Sequence, residues 1–131
     1  MKKLIVIDGN NFNNLEEFYD EISKLFTDGC FWGRNLDAFS DILMGGFGVF
    51  DEPDEIKVMW INCAKSKIDL GYSETLVWLN KKIETCHPSN INYVKQEIYN
   101  AQHNKGNTLF DIIVEIISEV IELEMVDYPP P

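Results

Sequence analysis

The chain has 131 residues and carries 22 Asp and Glu against 11 Lys and Arg, a formal net charge of −11. That length suits one domain with a proper core, and 45% hydrophobic residues with eight Phe and three Trp exclude a disordered chain. So acidic a field repels nucleic acid and anionic membranes and speeds encounter with basic partners, although acidity also serves plain solubility. Met1-Lys2-Lys3 is followed by only four apolar residues before Asp8, too short for a secretory apolar core. Cys30, Cys63 and Cys86 are odd in number and irregularly spaced. Free thiols in the reducing cytoplasm are therefore expected, not a disulfide framework.

Along the chain, Leu4 to Ile7 closed by Asp8-Gly9 reads as a buried strand. Asn14-Leu15-Glu16-Glu17 resembles a capping box, and Leu15, Phe18, Ile22, Leu25 and Phe26 follow helical spacing. Thr27-Asp28-Gly29-Cys30 breaks that helix. Asn35 caps a shorter one with Leu36, Phe39, Ile42 and Leu43 as its apolar stripe, and Gly45-Gly46-Phe47-Gly48 stops it. After a turn at Asp51-Glu52-Pro53-Asp54, Ile56 to Ile61 is a second strand. Residues 62–107 are mainly helical, with helices expected from Ser73 to about Thr85 and from Asn92 to Ala101, broken by His87-Pro88-Ser89-Asn90. Asn104 to Asn107 is a turn, and Thr108 caps a helix containing Phe110, Ile112, Ile113, Ile116, Ile117 and Val120. Ile121 to Val126 alternates apolar and acidic residues, as a strand with one solvated face does. Tyr128-Pro129-Pro130-Pro131 is a tail that pairs no further. Three strands separated by four to six helices imply right-handed crossovers and a parallel sheet, an α/β fold.

Two aspartates stand out. Asp37 suits the first turn of its helix, where a carboxylate meets the positive end. Asp41 sits mid-helix, where Asp is a poor helix former, four residues from Asp37 with like charge. Each effect costs about 0.2–0.7 kcal/mol with no local structural return. The pair reads as a surface built to receive something positive; the plainer readings are a dipole partner for Asp37 and a solvated acid for Asp41.

Catalytic and cofactor chemistry finds little support. His87 lies in a Cys-His-Pro turn and His103 in a polar loop, and Cys63 with Cys86-His87 lacks zinc spacing, so no metal site is expected. Asp8-Gly9-Asn10-Asn11 lacks the spacing of a phosphate loop, no cofactor is implied, and no basic patch offers a nucleic-acid surface. A carboxylate-dyad hydrolase built on Asp37 and Asp41 remains a minor alternative.

The run from Phe31 to Gly45, aromatic-aromatic-Gly-x-Asn-Leu-Asp-Ala-(apolar)-x-Asp-x-Leu-x-Gly, resembles the barstar family of intracellular ribonuclease inhibitors. Lys2 to Gly9 and Asn14 to Phe26 resemble its first strand and first helix. The resemblance implies a barstar-like three-stranded parallel sheet packed by helices, in one domain over residues 1–127, with the tail at 128–131 outside it. Additional helices at about 72–102 are inserted between the second strand and the last helix. It further implies a proteinaceous inhibitor of immunity or antitoxin type, not an enzyme. Such a protein occludes the basic active site of a secreted ribonuclease or related toxin with its acidic helix.

Carried over by position, Asn35, Asp37 and Asp41 match family interface residues, and Asp41 matches the one that enters the catalytic site. Phe31 matches a loop tyrosine and Trp32 its aromatic neighbour; such rings are typical interface anchors, although Trp32 could equally pack beneath the loop. Gly33, Met44 and Gly45 complete the partner-facing segment, and Glu115 or Asp111 stands for a peripheral glutamate of the last helix. The chain departs from the founding inhibitor at Arg34, which places a cation beside the acid pair, at Met44 in place of a hydroxyl-bearing residue, and at Gly46 in place of a tryptophan. These departures bear on which enzyme is bound. A non-inhibitory interaction or scaffold domain is the alternative function, and the sequence leaves the oligomeric state open.

Overall fold

The computed structural model describes residues 3–27, 32–44 and 56–127. Strands β1 (Lys3–Asp8), β2 (Ile56–Ile61) and β3 (Glu122–Val126) form a three-stranded, wholly parallel sheet in the order β1-β2-β3. Parallel neighbours need crossovers, and helices supply them. Helices α1 (Leu15–Phe26) and α2 (Leu36–Leu43) precede β2, whereas α3 (Cys63–Asp69), α4 (Tyr72–Thr85), α5 (Ile91–Gln102) and α6 (Leu109–Val120) separate β2 from β3. The expected α/β architecture is present, with six α-helices among the described residues, three of them between β2 and the last helix.

Period-two alternation sends Ile5, Ile7, Ile56, Val58 and Trp60 into the core. The opposite face is open among the described residues. Leu4 and Val6 are 51% and 36% exposed, so the apolar run of β1 is buried on one face only. On that open face Lys57 meets Glu122 at 3.5 Å and Glu124 at 3.0 Å, the solvated face expected of β3.

Aromatic rings fill the centre. The Trp60 ring lies 5.8 Å from Phe18, 6.2 Å from Phe12 and 5.2 Å from Phe110, and its Nε1–H donates to Ser66 Oγ at 3.0 Å. Gly9 permits this closure: a Cβ there would fall 2.4 Å from Asn62 O and 2.5 Å from Ser66 Oγ. A second, smaller core of Leu79, Val94 and Ala101 joins α4 to α5, and Trp78 packs against both cores.

Caps show where local rules hold. Thr108 and Asp111 form a reciprocal capping box at α6. Asn14 caps α1 through Glu17 N–H at 2.9 Å, but Glu17 reaches back to Asn13 N–H, one residue early, so the expected box is incomplete. Helix α3 carries no apolar stripe: Ile68 is 81% exposed, and Cys63 and Ser66 are its buried residues. Asn62 before it is left-handed (φ 56°) and supplies no side-chain cap. Asp127 supplies it instead, accepting from Ala64 N–H at 2.6 Å across the sheet's C-terminal edge.

Cys63 and Cys86 are free thiols. Among the described residues no helix is long and apolar enough to cross a membrane. The linker at 28–30, the glycine stop at 45–48, the turn at 51–54 and the tail at 128–131 lie outside the described residues.

Candidate functional site: the acidic face of α2

Asn35 opens α2 as expected, its Oδ1 accepting from Ala38 N–H at 2.8 Å. Phe39, Ile42 and Leu43 are fully buried, and Leu36 packs against the same core. Helix α2 packs on α6. Three inward side chains on an eight-residue helix leave it little freedom to tilt. Its other face presents Asp37 and Asp41, both exposed and outside every ion pair among the described residues.

The helix spans eight residues. It ends at Leu43, and Met44 N–H turns back to the carbonyls of Ser40 and Asp41, each at 3.2 Å. Asp41 therefore occupies the last turn, not the middle, and faces the negative end of the helix dipole. Its placement is still less favourable locally than mid-helix would be. Met44, 64% exposed, adjoins it.

The loop before α2 is anchored inward. Trp32 is 2% exposed, so the packed arrangement holds and the ring is no surface anchor in the free protein. Its indole meets Tyr19 edge-on at 5.4 Å and donates to Ser23 Oγ at 2.7 Å. Gly33 is exposed, but a Cβ there would approach Ala38 Cβ to 3.1 Å.

Arg34, left-handed at φ 51°, does not neutralise the acid pair. Its guanidinium reaches Asp20 at 3.0 Å and Glu16 at 3.3 Å on α1, and lies over the Tyr19 ring at 5.7 Å. Desolvation opposes its charge, yet the hydrogen bonds to Glu16 and Asp20 hold its pKa above the ordinary value. Burial, and then the nearby Glu16, push the Tyr19 phenol well above its usual range.

Of the two candidate acids on the last helix, both exposed, Asp111 accepts from Thr108 N–H at 3.0 Å as part of the capping box, and Glu115 takes no part in it. Phe31 and Gly45 lie outside the described residues. Sequence reasoning missed a neighbour of the site. Trp78, Lys81 and Lys82 of α4 face Asn35 and Asp37 across a cleft of about 460 Å³. No spacing rule links residues more than forty positions apart, so no sequence signal pointed to them.

A parallel three-stranded sheet covered on one face by helices, with an acidic helix displayed at its side, defines a barstar-like α/β protein. Residues 2–86 match the family described as Barstar (barnase inhibitor), and the chain belongs to that family. The match takes in α1 to α4 and ends before α5. The chain is also similar to a Bacillus subtilis (strain 168) protein named "Putative ribonuclease inhibitor YrdF", at 42% identity over 41 residues. That stretch is 31% of this chain and 45% of the relative, so the chain spans less than half the length of that relative.

Proposed function

We propose that this protein inhibits a ribonuclease or related toxin by laying α2 into its basic active site, acting in the cytoplasm against an enzyme made for secretion. The observation that carries this reading is Asp41. It is an exposed carboxylate without an ion-pair partner among the described residues, on a helix whose Phe39, Ile42 and Leu43 are fully buried. A carboxylate kept at a costly position, on a support with little freedom to tilt, is preorganised for a cation that arrives from outside. Asp37, one turn away, sets a second carboxylate about 5–6 Å off between Cβ atoms, a spacing that suits neighbouring basic groups in a cleft built for phosphates.

Binding begins with the net charge of −11, which draws a basic enzyme in. Asp41 then enters the catalytic site while Asp37 and Asn35 frame it, with Glu115 at the periphery. Gly33 and Met44 flank the acids, and Phe31 and Gly45 extend the same segment. The reading requires no catalysis, metal or cofactor from this chain.

The test is a titration into barnase, reading RNA cleavage, with Asp41→Ala beside the native protein. Stoichiometric inhibition that vanishes in the variant supports the reading. Capture of a non-ribonuclease partner on the same face, with RNA cleavage untouched, makes the protein an interaction domain instead.

A further inference from the structure

We infer that α4 adds a basic element to this interface, and that Lys81 selects a target carrying a carboxylate at the rim of its basic cleft. The inference rests on the inhibitor reading above and names the chemistry of the partner that reading requires.

Lys81 and Lys82 share the cleft with Asn35 and Asp37, but they are not equivalent. Lys82 is engaged within the protein: its ammonium lies 4.9 Å over the Trp78 ring and 3.7 Å from Glu97. Lys81 is exposed and has no ion pair among the described residues. It also borders a smaller adjoining cleft of about 150 Å³ beside Arg34 and Asn35. Its position is set by rigid elements. Trp78 packs against both cores, and Glu74, one turn earlier on α4, accepts from Leu15 N–H at 2.6 Å and so caps α1.

A lysine at this place works against the rest of the surface. The chain attracts basic targets through its acids, and an unpaired cation beside Asp37 repels any target whose whole face is positive. Such an element lowers affinity for the wrong enzyme and repays itself with one that offers a carboxylate opposite. Arg34 does not play this part, because Glu16 and Asp20 hold it.

The prediction has a sign opposite to that of general steering. Were Lys81 a bystander, replacing it with an acid would add to the negative field and tighten binding to a basic enzyme. If it meets a carboxylate, Lys81→Glu sets like charges together and weakens binding. We would measure inhibition of barnase at low salt by the native protein, Lys81→Met, Lys81→Glu and Asp41→Ala, with thermal melts to confirm that each is folded. The expected result is an inhibition constant raised about tenfold or more by Lys81→Glu, with Lys81→Met between it and the native protein. An unchanged or lowered constant for Lys81→Glu, with Asp41→Ala inactive, overturns the inference and leaves the inhibitor reading intact. Absence of inhibition by the native protein rejects barnase as the target and, with it, the assignment of Lys81 to a partner of this kind.

Discussion

Trp32 Nε1–H donates to Ser23 Oγ at 2.7 Å, and that hydroxyl in turn donates to Tyr19 O at 2.9 Å. Through this relay the loop that leads into the acidic helix hangs from the middle of α1. The buried indole N–H is satisfied inside the protein, which is why the ring can sit under the loop instead of on its surface. Removing the acceptor should therefore cost more than a surface serine would. Ser23→Ala is expected to lower unfolding stability by about 1–3 kcal/mol, the penalty of an orphaned buried donor. It should also weaken inhibition, because Asn35 and Asp37 follow directly from the loop. Denaturant unfolding and an RNA-cleavage titration measure the two effects separately.

The two acids of α2 should respond oppositely in stability. Asp37 lies in the first turn and Asp41 in the last, so the helix dipole favours one and opposes the other. Asp37→Ala is expected to cost about 0.3–1 kcal/mol and Asp41→Ala to be neutral or stabilising by a similar amount. Inhibition should nevertheless fall in both, most in Asp41→Ala. Parallel stability losses in the two variants would mark Asp41 as a structural residue.

Gly9 should tolerate no side chain. Gly9→Ala drives a methyl into the Asn62 carbonyl and the Ser66 hydroxyl, and Ser66 is the acceptor for Trp60. Overpacking of this kind costs about 1–3 kcal/mol. A melt and the Trp60 emission spectrum read the stability loss and the displaced hydrogen bond.

Asp127 ties the end of β3 to the start of α3 and carries a pH signature. The Ala64 N–H, and then the Cys63 thiol, hold its carboxyl below the usual carboxylate range. Because the folded pKa is depressed, the stabilisation is fully present above the unfolded value and fades as pH falls through the folded one. Stability of the native protein should thus drop below about pH 4, near the ordinary carboxylate value. Asp127→Asn should melt lower at neutral pH and show a shallower fall in that acid range. Burial, reinforced by Asp127, pushes the Cys63 thiol up, so it should react slowly with thiol reagents at neutral pH and faster in Asp127→Ala.

Salt offers a check on the approach to the target. If the net charge of −11 steers association, the on-rate should fall steeply between low and physiological ionic strength while the off-rate changes less. Stopped-flow mixing with a basic ribonuclease measures both.

Local chemistry wrote much of this protein. Alternation placed Ile56, Val58 and Trp60 in the core, Thr108 and Asn35 capped their helices, and the stripe of Phe39, Ile42 and Leu43 oriented the acidic face. Each depends on neighbours within about four residues, so periodicity and capping rules reach it. Helix α3 was not legible, because its cap arrives from Asp127 and its exposed Ile68 breaks the pattern that marks a buried face. Nor was the burial of Trp32, which depends on a serine of another helix, or the withdrawal of Arg34 to Glu16 and Asp20. The placing of Lys81 and Asp37 on one cleft was likewise decided by packing. The sequence by itself determined which helix carries the acids. Only the tertiary structure decided what surrounds them, because those contacts join segments that no local rule connects.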